Sequence, residues 1–428
     1  MKKIVAAMLI IFFLVPHLVI STEHTQPLTN DEKYQLTEDV AKEISYFSKV
    51  PSNPNLFHDV EVYKDSNLKI YDKTLHQGDD FMIKRLFIND ETVPVFELSD
   101  GSYLEASVRN IYDDEVISLT DVNDKLWISS SFTVFDSPFV KGSKTIPSDL
   151  TSYSQVSVIQ KAETNHGIYY KIPNKGWISE DDLSFQDNRI LKVQELLNQK
   201  YNKSDYSIYV KQLSTTLTAS INPNKQMYSA SIAKLAVLYA VQEKIKTGQL
   251  KLTDMYKYSD NVNTFDGAYD PSGSGKLPKI PDNNEYSIET LLRAVTQNSD
   301  NVATNILGYY VLGAYNSEFY KTLQTISKSS WSVKDRIMSS EIAGNMMEAI
   351  YHQNGDIIPY LEATDFDGER ISKDIAIPVA HKIGDAYDFK HDVAIVYADS
   401  PFIISIFTDK SSYEDITNIA NDVYDILK

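Results

Sequence analysis

Apolar positions fall into three textures along the chain. The N-terminus, "MKKIVAAMLIIFFLVPHLVIS", sets two lysines before an unbroken apolar run, Ile4 to Val15, which Pro16 interrupts. From about 57 to 186 the pattern is short alternation, as in "LKIYDKT" and "FMIKRLFI", broken by Gly, Asp, Asn and Pro. Side chains on a strand alternate between faces, so this texture predicts β-structure. The third texture begins at 187. "NRILKVQELLNQKY" has apolar residues at 190, 191, 193, 196 and 197, the spacing of an amphipathic helix. Strands follow at 206–213 and 216–221, and helical periodicity then dominates to about 355. "IAIPVAHKIG", "HDVAIVY" and "FIISIFT" return as three strands. The closing segment repeats apolar residues at 416, 419, 420, 423, 426 and 427, behind a capping box expected at Ser411 and Glu414. This order predicts an α/β domain: a five-stranded sheet flanked by helices, with an inserted helical subdomain. The cleft between the two parts is the natural place for a site.

The opening run reads as a secretory signal or an uncleaved anchor over 1–21, with a cut near Thr22. Residues 22–56 form a polar linker with prolines at 27, 51 and 54 and a short helix between Asp31 and Phe47. No later stretch is long and apolar enough to span a bilayer. The expected location is therefore secreted, or anchored at the outer, cell-wall side of the membrane, with membrane contact only through the N-terminal segment. Charge narrows the partners: 41 basic against 59 acidic residues give −18, which argues against nucleic acid. There are no cysteines, and the eight histidines stand singly without ligand spacing, so neither a metal nor another cofactor is expected.

The β region carries a weak internal repeat. "LKIYDK" (68–73) and "FTVFDS" (132–137) open two units, and "DGSYLEASV" (100–108) and "KGWISEDDL" (175–183) close them. Each is the size of a small closed barrel, giving modules over 57–115 and 116–186. The Gly-Trp closing phrase resembles the GW-type, SH3-like modules of exported wall-associated proteins. That resemblance implies two small all-β barrels and a cell-wall polymer as partner, through Tyr103 or Trp177. The alternative is that both aromatics fill barrel cores and the modules act as a spacer, which the acidic excess favours.

In the third region, "YSASIAKLAVLYA" (228–240) sets Ser231 and Lys234 three apart where a helix begins. On a helix such residues are neighbours, about 5–6 Å between Cβ atoms, which puts an amine beside a hydroxyl. Free N–H groups at the helix start favour a developing oxyanion. Burial and a second cation would lower the pKa of Lys234 toward the neutral, basic form. Ser66 and Lys69 share the spacing, but in a predicted strand they face opposite ways.

Two further motifs follow in order: Ser299-Asp300-Asn301 at the head of an apolar helix, and Lys382-Ile383-Gly384 in a strand that turns back. Ser-x-x-Lys, Ser-Asp-Asn and Lys-Thr-Gly together are the signature of the penicillin-recognising serine enzymes. From 187 to 428 the chain resembles that family, most of all its class A β-lactamase branch. The resemblance implies a β-lactamase/transpeptidase-like fold with an antiparallel sheet. It implies Ser231 as acylated nucleophile, Lys234 as proton acceptor and Ser299 as relay to the leaving nitrogen. Asn301 would hold Lys234 and the substrate amide, and Lys382 would meet the substrate carboxylate. Ile383 and Gly384 would line the substrate strand, and the N–H groups of Ser231 and Asp385 would form the oxyanion hole. Asp300 is expected to fix its loop as a buried, hydrogen-bonded carboxylate, and His381 and His391 to be packed or surface residues.

Two departures stand out. Ile383 replaces the threonine whose hydroxyl would donate to a substrate carboxylate, and no arginine follows Arg370 to compensate. The Glu-x-x-Leu-Asn loop, whose glutamate activates the deacylating water in class A enzymes, has no counterpart between Asn301 and Lys382. Glu318 is too early, Glu341 sits at a helix start, and Asp335 is the nearest carboxylate in register. Three readings follow: a serine β-lactamase-like hydrolase with slow deacylation, a D-Ala-D-Ala carboxypeptidase or penicillin-binding protein acting on peptidoglycan peptides, or a catalytically weak wall-binding or sensing protein.

Overall fold

The computed structural model describes residues 28–36, 45–327 and 331–428. The expected signal segment lies outside the described residues; of the linker helix expected between Asp31 and Phe47, Asn30–Leu36 is helical, 37–44 lie outside the described residues, and Tyr46 forms an isolated bridge with Ser107. The chain divides into two compact units. The first comprises residues 1–121, 135–146 and 160–170; the second comprises 122–134, 147–159 and 171–428.

In the first unit, strands Tyr71–Leu75, Val60–Tyr63, Tyr103–Glu105, Pro94–Leu98 and Ile83–Ile88 form one five-stranded sheet in that order. Leu56, Val62, Phe96, Leu104 and Ile111 are fully buried at its core. Neighbouring strands in it pair antiparallel. Ser66 and Lys69 lie in the turn after Val60–Tyr63 rather than in a strand. Tyr103 is half-buried, with its ring edge-on to Phe87 at 6.2 Å. A second, six-stranded sheet includes the strands Val116–Ile128, Gln155–Thr164 and Gly176–Ser179. Its Trp177 is 6% exposed, so this aromatic fills a core.

The second unit contains a separate five-stranded sheet. Helix α1 (Arg189–Lys200) leads to β1 (Tyr206–Gln212) and β2 (Thr218–Ile221). Helices α2 (Lys234–Lys246), α3 (Ile288–Gln297), α4 (Asn301–Ile306) and α5 (Ser340–Gln353) follow. The chain closes with β3 (Val379–Ala386), β4 (Phe389–Val396), β5 (Phe402–Asp409) and α6 (Tyr413–Leu427). The strand order is β2-β1-β5-β4-β3, with every pairing antiparallel, and β3 is an edge strand. Buried residues of β5 alternate between faces, as a strand covered on both sides requires. Ile403 and Phe407 join the core with Leu235, Met346 and Met347, whereas Phe402, Ile404 and Ile406 join Ile190, Val193 and Ile419.

The cap of α6 differs from expectation by one residue. Ser412 and Asp415 form the capping box, because the extended backbone at Ser412 aims its hydroxyl at the Asp415 N–H. Helix α1 is tied to the β region within its own unit: Asn188 Nδ2 donates to the Ile128 carbonyl at 3.0 Å, Tyr153 donates to Glu195, and Arg189 lies over the Trp127 ring at 5.0 Å. Among the described residues no helix is long and apolar enough to cross a membrane.

Candidate active site

Three separated stretches meet at one end of β3. A two-residue strand, Met227–Tyr228, pairs with Ile337–Met338. Ser229 then donates from its N–H and its hydroxyl to the Arg336 carbonyl at 2.7 and 3.0 Å. Ala230 takes a left-handed backbone, φ +48°, that turns the chain into a 3₁₀ turn over Ala230–Ala233. The regular helix starts only at Lys234, so Ser231 stands on the 3₁₀ turn rather than on the helix proper. Ile232 and Leu235 are fully buried and anchor this turn, while Ser231 is half-buried and its hydroxyl makes no hydrogen bond among the described residues.

Lys234 is fully buried. Its Nζ donates to the Ser299 carbonyl and to Asn301 Oδ1, both at 2.6 Å, and lies 3.5 Å from Ser299 Oγ. Its Nζ also lies 4.6 Å from the centroid of the Tyr269 ring. Burial holds its pKa far below the ordinary lysine range, and the nearby charge of Lys382 adds to this. A neutral amine has two N–H donors and one lone pair; the two short bonds use both donors and leave the lone pair free.

Lys382, 1% exposed on β3, donates to Ser299 Oγ at 2.8 Å and to the Ile383 carbonyl at 3.0 Å. Burial pushes its pKa down to about 7, against the opposing pull of Asp392. Ser299 thus lies between two amines, held by a left-handed backbone at φ +53°. Asp300 caps α4: Oδ1 accepts from the Ala303 N–H at 2.8 Å, and Oδ2 accepts from the Leu277 N–H at 2.9 Å. It is fully buried, as expected of a loop-fixing carboxylate. Gly275 passes over it at φ +114°, where an added Cβ would come within 2.1 Å of Asp300 Oδ2. Asn301 completes the cluster, its Nδ2 donating to the Asp270 carbonyl at 2.7 Å.

Strand β3 approaches the 3₁₀ turn closely at Gly384. A Cβ there would lie 2.6 Å from the Ser229 carbonyl oxygen and 2.8 Å from Ile232 Cγ1. The glycine of the third motif therefore sets the spacing between the strand and the turn that carries Ser231. Ile383 is 7% exposed, and Asp385 is exposed at the end of β3.

The model of the beta-lactamase enzyme family matches residues 189–427. The chain belongs to the beta-lactamase enzyme family. It is a serine hydrolase by that membership. Among solved structures it is similar to PBP-A, at 16% identity over 56% of this chain and 95% of that one, TM-score 0.46. A beta-lactamase from Sphaerobacter thermophilus DSM 20745 matches at 16% identity over 56% and 95%, TM-score 0.45. One from Chitinophaga pinensis DSM 2588 matches at 18% over 56% and 100%, TM-score 0.45. Comparison with curated proteins found no match.

Within this beta-lactamase-family domain, and among the described residues, the loop that precedes α5 brings no carboxylate to the lysines. Asp335 is exposed, and its N–H donates to Ser332 Oγ at 3.4 Å. Glu318 is exposed on the helix Ser317–Ser327, and Glu341 lies in the first turn of α5. What the loop delivers is Arg336, whose guanidinium stacks on Tyr269 at 3.9 Å and donates to the Gly267 and Ala268 carbonyls at 3.2 and 3.0 Å. Neither Arg336 nor Tyr269 was singled out by its sequence pattern; both sit in irregular segments with no periodicity to mark them.

Both histidines of the third motif are buried. His391 stacks on Phe407 at 4.1 Å, donates from Nε2 to the Tyr228 carbonyl at 2.9 Å and accepts the Thr408 N–H at Nδ1. Burial pushes its pKa down to about 4, so it is neutral and serves as a strut behind the Ser231 turn. His381 contacts Asp392 through Nδ1 at 3.0 Å and Asp367 through Nε2 at 3.2 Å. Burial opposes its charge, yet Asp392, joined by Asp367, raises the pKa to about 9. A histidine raised above its unfolded value of about 6.5 stabilises fully below that pH, and the contribution disappears as pH climbs through the folded value. Lys234 and Lys382, whose folded pKa values are lowered, add stability as pH rises through the same range, so the His381 contribution is read as the difference between wild type and His381→Asn. In denaturant midpoints measured from pH 6 to 10 that difference is expected to shrink between about 6.5 and 9; a difference that does not change with pH would remove His381 as its source.

Proposed function

We propose that the protein is an exported serine hydrolase that is acylated on Ser231 by a β-lactam or a related amide and deacylates slowly. The observation that carries the reading is the buried amine of Lys234, bound by Ser299 and Asn301 and flanked by Lys382. In this mechanism the free lone pair of Lys234 takes the Ser231 proton as Oγ bonds to the carbonyl carbon. The N–H groups of Ser231 and Asp385 hold the resulting oxyanion. On collapse the C–N bond breaks, and the nitrogen receives its proton through the Ser299 hydroxyl, which accepts from Lys382 and so directs its own hydrogen elsewhere. Asn301 keeps Lys234 in place and meets the substrate amide.

Slow release of the acyl group rests on the carboxylates. Those acting most on Lys234 and Lys382 are Asp300 and Asp392, both buried and both already bound. With neither free to activate water, the ester should persist. The same feature favours a second reading, a D-Ala-D-Ala carboxypeptidase or penicillin-binding protein, for which β-lactam hydrolysis is not the task. A sensing protein remains the third. In each case the N-terminal strands act as SH3-like spacer modules at the wall side of the membrane, with a wall polymer as their possible ligand.

Intact-mass measurement after mixing with a chromogenic cephalosporin and with benzylpenicillin tests this. A covalent adduct that outlasts the free drug, and that Ser231→Ala lacks, is expected. Rapid turnover without accumulation would overturn slow deacylation. Release of D-Ala from a wall peptide would select the peptidase, and absence of any adduct would sink the acylation reading.

A further inference from the structure

On an edge strand, residues two apart share a face. Ile383 and Asp385 therefore lie together on the face of β3 opposite to Lys382 and Gly384. At Asp385 this face carries a set of charges that are already matched. Arg370 is 1% exposed, with a left-handed backbone at φ +60° that turns its side chain toward the strand. Its Nη2 lies 2.7 Å from Asp385 Oδ2 and its Nη1 2.9 Å from Glu369 Oε1. The guanidinium plane covers the Tyr413 ring at 3.9 Å, and the Tyr413 hydroxyl donates to Asp385. Lys390, opposite Asp385 on β4, holds its ammonium 6.0 Å from the same ring. Two cations, Arg370 and Lys390, thus face two carboxylates, Asp385 and Glu369.

On the acylation reading, a substrate held at Ser231 lies along the free edge of this strand, because Gly384 brings the strand against the Ser231 turn and β3 has no neighbouring strand on that side among the described residues. At that edge Ile383 offers no donor, and Asp385, its side chain 34% exposed, sits in a neutral charge set. Lys382 meets a substrate carboxylate with one free donor at most, since two of the three donors of its ammonium are committed to Ser299 Oγ and the Ile383 carbonyl. We infer that Asp385, by neutralising Arg370, is a specificity-determining residue that makes this site accept substrates whose strand-side group is an amide, ester or cation in place of a free carboxylate. The inference rests on the acylation reading above and names its substrate class.

The test uses the full-length protein with two probes, a penicillin free acid and its methyl ester, each acylation rate being divided by that probe's alkaline hydrolysis rate. The wild type is expected to acylate with the ester at least as fast as with the acid. Asp385→Asn keeps an acceptor for Arg370 and Tyr413 but removes the charge. It should raise the acid-to-ester ratio about tenfold, the size of effect one unit charge has at the rim of a partly solvated site. A wild-type preference for the acid of more than about tenfold would overturn the inference, and this needs no variant to fold. So would a folded Asp385→Asn protein with an unchanged ratio. Adducts with an acid preference sink this inference alone, whereas no adduct from either probe sinks the acylation reading and this inference together.

Discussion

Replacing Lys234 by alanine lowers the rate of Ser231 acylation by about 10³-fold or more, the usual share of a positioned general base. The expectation rests on the hydrogen bonds as much as on the pKa. Lys234 Nζ spends its donors on the Ser299 carbonyl and Asn301 Oδ1, so the one remaining site on the nitrogen is a proton acceptor. Lys234→Arg should fail as completely, because a guanidinium stays charged and has no lone pair to offer. Folding should barely change. Truncation leaves two buried acceptors without partners, at a cost of about 1–3 kcal/mol, and removes an amine whose charging is opposed by burial, which offsets it. The thermal midpoint is expected to move by no more than about 3 °C. Rapid-mixing acylation kinetics with intact-mass detection check the first part and calorimetry the second; labelling that survives Lys234→Ala would remove this residue as the base.

The second large effect concerns a residue with no chemistry of its own. Gly384→Ala should cut acylation by about 10²-fold or more, since misplacement of reacting groups by about 1 Å has that consequence. The added methyl meets a backbone oxygen, that of Ser229, and the Ile232 side chain, so neither neighbour can swing aside freely. Strand and turn must separate, and with them the two N–H groups that would hold the oxyanion. Overpacking of this kind also costs about 1–3 kcal/mol in stability. Gly368→Ala is the control, because nothing lies within 4 Å of the position its methyl would take. Equal acylation rates for the two variants would show that the spacing does not matter.

Much of this arrangement was legible in the residues. Alternation and helical spacing separated a β region from an α/β domain, and the strands at 206–212, 379–386, 389–396 and 402–409 lie where apolar runs predicted them. The three motifs named the residues that the fold brings together, and Asp300 was read as a buried carboxylate that fixes its loop, though not as the cap of α4. Other features left no trace. The pairing of Met227–Tyr228 with Ile337–Met338 involves two residues a side, too few for any period, yet it seats the Arg336 loop beside the Ser231 turn. The helix at Lys234 was read three residues early, because a 3₁₀ turn and a helix share the same apolar spacing at their junction. Ser411 and Ser412 are adjacent, and only the backbone angles decide which one caps. Arg370 was noted for what did not follow it; its contact with Asp385, fifteen positions away, follows from tertiary packing that no periodicity encodes.

The chain passes between its two compact units five times, and α1 is fastened to residues Trp127, Ile128 and Tyr153 of its own unit. A recombinant fragment begun at residue 187 would keep every motif and still strip α1 of the partners it rests on. The place where family likeness begins is therefore not a seam at which this polypeptide can be divided, and minimal versions of the enzyme have to be trimmed from farther upstream.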